Sequence, residues 1–162
     1  MATKIDRLIA YWEELRLGEV VPERFDVMPT RLARDGILSC CFVMDLQSGC
    51  LRVSGASARP FVGEAGLIFS NSFVEGDRAA IIECLDTMRR LHCGWFLATA
   101  CGNVMLLPLA VGGKIGRAIG LIEPLGITPR GPLALLATPE RRSRGGRPHV
   151  GPLLRVIEGG RK

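Results

Sequence analysis

Histidine is scarce in this chain of 162 residues: His92 and His149 are the two copies. General bases are therefore few, and neither histidine stands at a spacing that identifies a nucleophile–base pair with Ser, Cys or Asp. No Cys-x-x-Cys occurs, and no Cys/His set has zinc-ligand spacing. A phosphate-binding glycine loop is missing too. Gly112-Gly113-Lys114 follows a strand-like run, but no helix-like run comes after it. Aromatic residues make up only 6% of the chain, so its core must be mainly aliphatic. The opening residues, Met1-Ala2-Thr3-Lys4-Ile5-Asp6, mix charges at once and build no apolar signal segment. These absences point away from an enzyme and from a metal site. They lead us to expect a cytoplasmic protein whose six cysteines, Cys40, Cys41, Cys50, Cys84, Cys93 and Cys101, are reduced thiols.

Excess positive charge is absent from most of the chain as well. Lys and Arg number 21 against 16 Asp and Glu, but the excess has one location. Residues 126–162 hold eight basic and two acidic residues, whereas residues 1–125 hold thirteen and fourteen. A body so close to neutral lacks the basic face that nucleic acid requires, so nucleic acid is expected to meet only the tail. That tail has seven Gly and five Pro in 37 positions and no aromatic residue. Such a composition cannot build a core, and residues 125–162 are expected to form a largely flexible basic tail behind a domain at 1–124. Its Arg141-Arg142-Ser143-Arg144 segment suits nucleic acid, an acidic protein or anionic lipid, or serves as a solvated linker. One uncharged run, 94–113, has the 20-residue length of a membrane span. Gly102-Asn103 near its middle and Pro108 beyond make it two strands and a turn instead, and no span is expected.

What is present is clear periodicity. Ile5, Leu8, Ile9, Trp12 and Leu15 recur at helical spacing, with Thr3 and Asp6 as a capping box and Gly18 as the stop. Pro22 and Pro29 mark an irregular stretch, and Thr30–Arg34 suits a short helical turn. Ile37–Leu46 reads as a strand with Leu38, Cys40, Phe42 and Met44 on one face. After turn residues Gln47-Ser48-Gly49, Cys50–Ser54 reads as its hairpin partner. Residues 55–72 suggest loops and short helical turns. A helix is predicted from Glu75 to about His92, with Ile81, Ile82, Leu85 and Met88 inward. Three strands follow at Trp95–Cys101, Asn103–Val111 and Ile115–Glu123, turning at Gly102-Asn103 and Gly112-Gly113-Lys114. On the last, Gly116, Ala118 and Gly120 share a face and admit close approach by another element. Strand groups separated by helices predict an α+β fold with a five-stranded antiparallel sheet.

Tyr11-Trp12-Glu13-Glu14-Leu15-Arg16, followed by Gly18, Pro22, Arg24 and Pro29, resembles the start of PAS_5, a bacterial PAS family common in alphaproteobacteria. Leu51-Arg52-Val53-Ser54-Gly55 and Leu106-Leu107-Pro108-Leu109 resemble two further segments of that family. The resemblance covers roughly residues 5–124. It implies a PAS-like five-stranded antiparallel sheet with flanking helices, and a non-catalytic sensory or regulatory role in signal transduction. It also implies a small-molecule pocket between sheet and helices, or a signalling partner. It names no ligand, and the cofactor is unknown.

Candidate residues follow from both readings. Alternation sends Phe42, Met44, Trp95, Leu97, Met105 and Leu107 to the helix-facing side of the sheet, where they line a pocket or fill a core. Arg52, within a predicted strand and at a motif position, is placed to bind an acidic ligand group, to pair with a carboxylate, or to sit on a solvated face. The stripe Ile5, Leu8, Ile9, Trp12 and Leu15 either forms a homodimer or partner interface or packs on its own sheet. An adaptor that binds no ligand, working through this helix and the tail, is the alternative reading. Some PAS modules bind haem through a helix histidine. His92 is read instead as a surface residue suited to the negative end of its helix.

Overall fold

The structure, a computed structural model, describes residues 2–16 and 21–124. Its first element, α1 (Lys4–Arg16), begins with a reciprocal cap. Asp6 donates its backbone N–H to Thr3 Oγ1 at 3.0 Å, and Thr3 donates to Asp6 Oδ2 at 2.9 Å. The expected stop at Gly18 and the tail lie outside the described residues. A 3₁₀ turn at Arg24–Asp26 leads to α2 (Pro29–Arg34), which starts on Pro29 because proline's missing N–H is no loss in a first turn.

The expected strand over 37–46 is shorter than its apolar run. Leu38–Cys40 forms a 3₁₀ turn and only Cys41–Asp45 extends, as β1. The reason is local: the Ser39 carbonyl accepts from the N–H groups of Ser57 and Ala58 and is unavailable to a ladder. Asp45 Oδ1 then accepts from Gln47 and Ser48 and closes the turn into β2 (Leu51–Ser54). Short helix α3 (Arg59–Val62) and a 3₁₀ turn at Phe69–Ser72 precede α4 (Glu75–Leu91). The sheet is completed by β3 (Trp95–Thr99), β4 (Gly102–Val111) and β5 (Lys114–Pro124).

All neighbouring strands pair antiparallel, in the spatial order β2-β1-β5-β4-β3. This is the predicted α+β arrangement. Gly112 and Gly113 both take left-handed φ, which is what a two-residue hairpin turn between β4 and β5 demands. The β3–β4 turn falls two positions earlier than expected. Ala100 and Cys101 form it, and Gly102 already pairs with Thr99 and Pro124.

Two layers cover the sheet. On one face, Phe42 lies over Gly120, where a Cβ would approach Phe42 Cε2 to 2.5 Å. Of the small residues on β5, Gly120 thus admits a close approach, whereas at Gly116 the nearest side chain is at ordinary contact distance. Phe69 stacks on Phe42 at 5.0 Å between centroids, and Phe73 meets Phe69 edge-on. From α4 the inward residues are Ile81, Cys84, Leu85 and Met88. Ile82 is 54% exposed, contrary to its predicted place, because one residue beyond Ile81 turns about 100° away from the stripe. On the opposite face lies α1, whose Trp12 donates Nε1–H to the Pro108 carbonyl at 2.8 Å across the buried interface.

Candidate functional site

The residues expected to line a helix-side pocket divide between both faces of the sheet. Phe42, Met44, Trp95 and Leu97 are buried on the helix side, packed into the aromatic and aliphatic core. Met105 and Leu107 are not with them. Met105 pairs with Phe96 and Leu121, and Leu107 pairs with Ile119 and hence Val43, so both point to the α1 side. The correction is one of parity: two residues join β3 to β4, so Trp95 pairs with Leu106 and Leu97 with Val104, and the odd-numbered residues of β4 face the other way.

The apolar stripe of α1 is likewise committed within the chain. Ile5, Leu8 and Trp12 are buried against the sheet, while Ile9 and Leu15 are half-buried beside them. Packing on its own sheet is therefore the reading that the geometry supports for this helix.

A groove of about 870 Å³ opens on this same outer face, beside α1. Its floor is Cys41 and Val43 of β1, Ile119 of β5 and Leu109 of β4. One wall is the segment containing Val27, Pro29, Leu32 and Ala33. Side chains of α1 hold that wall. Arg31 makes a bidentate pair with Glu14, both contacts at 2.9 Å, reaches Asp35 at 3.0 Å, and lies over the Tyr11 ring. Arg31 keeps the Glu14 carboxyl below its ordinary range. Tyr11 accepts from Met28 N at 2.8 Å and donates to the Asp26 carbonyl.

The other wall is β2, and here the backbone departs from strict alternation. Val43 pairs with Val53, but Met44 pairs with Leu51, so Arg52 is the extra residue of a bulge. Consecutive residues Arg52 and Val53 thereby both line the groove. Of the seven sequence-derived pocket residues, Phe42 and Arg52 border this space.

Four arginines ring the groove and no carboxylate lines it. Arg59 donates to the Ser54 carbonyl at 3.0 Å, and Arg24 lies over the Phe25 ring. Arg52 is exposed and makes no ion pair among the described residues. Arg117 is largely buried, with Asp45 4.0 Å from its Nε. Burial, together with Arg52 and Arg24 nearby, lowers its pKa. An apolar floor with a crowded cationic rim is chemically suited to hold an anion that also carries apolar surface.

Nucleophilic chemistry has no support here. Burial pushes the Cys41 thiol on the groove floor up to about 12, so it stays protonated near neutral pH. Among the described residues, none of the six cysteines forms a disulfide. His92 is the C-cap of α4, in left-handed backbone with φ 56°, its N–H bonded to the Met88 carbonyl. Among the described residues no three His, Cys, Asp or Glu side chains converge as a metal site, and no helix is long and apolar enough to cross a membrane.

The groove was not legible in the sequence because its wall is the irregular segment around α2. The available signal was a set of apolar residues outside the helix stripes. Phe25, Met28, Leu38 and Val53 are 40–67% exposed, and Leu38 and Val53 border the groove.

Sheet order and flanking helices define a PAS-like α+β module, and the comparison with known families agrees. The PAS_5 family, a PAS domain family, matches residues 2–122, and the chain belongs to it. No curated protein and no solved structure matches the chain. A PAS domain is a sensory or regulatory module, generally non-catalytic, and PAS domains commonly mediate protein interactions or dimerisation.

Proposed function

We propose that this chain is a non-catalytic bacterial PAS module of the cytoplasm that signals by binding a small ligand at the groove on its outer sheet face. The observation that carries this reading is the groove itself: an apolar floor from three strands, with Arg24, Arg52 and Arg117 drawn together at its edge. Its volume of about 870 Å³ lies within the roughly 300–1,000 Å³ typical of ligand sites. The wall that closes it, α2, is held to α1 by Arg31, so occupancy has a direct path to both helices. The helix-side core is a weaker candidate, because Phe42, Phe69 and Phe73 occupy it. Six cysteines outside any disulfide fit a reducing compartment. Homodimerisation belongs to this reading as a consequence of signalling, through surfaces other than the buried stripe of α1.

Native mass spectrometry of the purified full chain tests the proposal. The expected result is a mass excess that leaves on denaturation. It should be lost from Val53→Trp, which fills the groove from an exposed position. An excess that persists unchanged in that variant would move the binding site elsewhere.

A further inference from the structure

The arginines and the floor together restrict what the groove takes. Along the floor, Val43, Ile119 and Leu109 present aliphatic surface with no hydrogen-bonding side chain. An occupant lying there must be apolar to gain from leaving water. At the edge, Arg24, Arg52 and Arg117 border the same groove; burial first, and then Arg52 and Arg24 nearby, disfavour the charge on Arg117, and Asp45 at 4.0 Å is its counter-charge. A cluster of like charges beside apolar surface is relieved by an anion, and a guanidinium fork matches a carboxylate in two parallel hydrogen bonds. The sequence after β5 brings no net negative charge to such a rim, with eight basic residues against two acidic ones over 126–162.

We infer that the groove binds a single-chain acyl carboxylate, a fatty-acid-type anion whose hydrocarbon lies over Val43 and Ile119 and whose head meets Arg52 and Arg117. This rests on the outer-face groove being the ligand site proposed above. The backbone supports the assignment independently of charge. The bulge at Arg52 turns that arginine toward the groove alongside Val53, joining a cationic head-group contact to an apolar chain contact within one dipeptide.

The test uses the full chain and three twelve-carbon probes: laurate, 1-dodecanol and dodecyltrimethylammonium, all below their aggregation concentrations. Calorimetry gives affinity, and amide chemical shifts give location. Laurate should bind one to one and move amides of β1, β2 and α2. The cationic probe should bind at least about tenfold more weakly, as should laurate to Arg52→Gln, because each loses a charge-assisted contact. Arg52 is exposed, so this variant keeps the fold, and its amide spectrum checks that directly. Equal affinity for laurate and the cation would overturn the assignment, as would shifts confined to the α4 side. A dimer seated on the groove that laurate does not dissociate would also overturn it, in favour of a second copy. If laurate fails while the purified protein retains another species that Val53→Trp expels, the acyl class falls and the groove stands as the site. If laurate fails and no species is retained, both readings fall.

Discussion

Replacing Gly120 by alanine should be among the more damaging single-methyl additions in this protein. The new Cβ would sit 2.5 Å from Phe42 Cε2, closer still to Cζ, and 3.0 Å from Leu106 Cδ2. Phe42 cannot swing aside: it is 1% exposed and stacked on Phe69 at 5.0 Å. Forcing a methyl into a closed core costs about 1–3 kcal/mol. The small backbone-entropy gain of replacing glycine in a strand, about 0.5–1 kcal/mol, offsets only part of this. A net loss of about 1–2 kcal/mol, at a urea slope of about 2 kcal/mol/M, moves the unfolding midpoint down by roughly 0.5–1 M. Gly116 on the same strand supplies the internal control. Its nearest neighbour would be Val111 Cγ2 at 3.5 Å, an ordinary contact, so Gly116→Ala should be neutral or mildly stabilising. Gly120→Ala combined with Phe42→Leu should lose less than the sum of the two, by more than about 0.5 kcal/mol, because the shorter side chain vacates the space. Urea titrations followed by circular dichroism measure all four. If Gly120→Ala matches Gly116→Ala, or if the double variant is additive, the close approach of Phe42 to β5 is wrong.

Three further outcomes are expected. Trp12→Phe should lower stability by about 1–2 kcal/mol in urea titration, since the buried Pro108 carbonyl loses the 2.8 Å bond from Nε1, and an unchanged midpoint would contradict that contact. Asp77 is buried, with Oδ2 accepting from Ala100 N at 2.6 Å and Oδ1 unpartnered among the described residues, and burial raises its pKa. Its charged form is therefore penalised in the folded state, so its contribution is best below the ordinary Asp pKa and worsens as pH rises through the raised value. Asp77→Asn, which keeps an acceptor for Ala100, should gain on the parent as pH climbs from about 4, the ordinary Asp value, and parallel stability profiles would contradict the burial argument. Iodoacetamide at pH 8, read by peptide mass mapping, should label half-exposed Cys50 well before Cys41, whose thiol at about 12 is ionised in roughly one molecule in ten thousand.

Much of this protein is decided by local rules. The Thr3–Asp6 cap, the α1 stripe, the Gly112-Gly113 turn and the run of small residues on β5 each state a local requirement that one segment can satisfy alone. Read together, they specify helix, hairpin, helix and three strands, and with that order an α+β antiparallel sheet of PAS type. Parity is different in kind. Alternation says that Met105 and Leu107 share a face, but the length of the β3–β4 turn decides which: two residues pair Leu97 with Val104 and send Met105 to the other side. That turn depends on where Asp77, on a separate helix, captures Ala100. The fate of α1 was equally undetermined by its own stripe, since an apolar helix face serves a partner or its own sheet equally well. In the structure the stripe packs on its own sheet, with Trp12 reaching Pro108, 96 residues away.

The groove depended most on the tertiary structure. Its floor comes from three strands, its wall from a helix that Arg31 ties to α1, and its charge from arginines at positions 24, 52 and 117. Periodicity sees one element at a time, so it records these arginines as three unrelated surface charges. The sheet order β2-β1-β5-β4, the bulge at Arg52 and the bridge from Glu23, beside Arg24, to Ala110 of β4 gather them at one edge of an apolar floor.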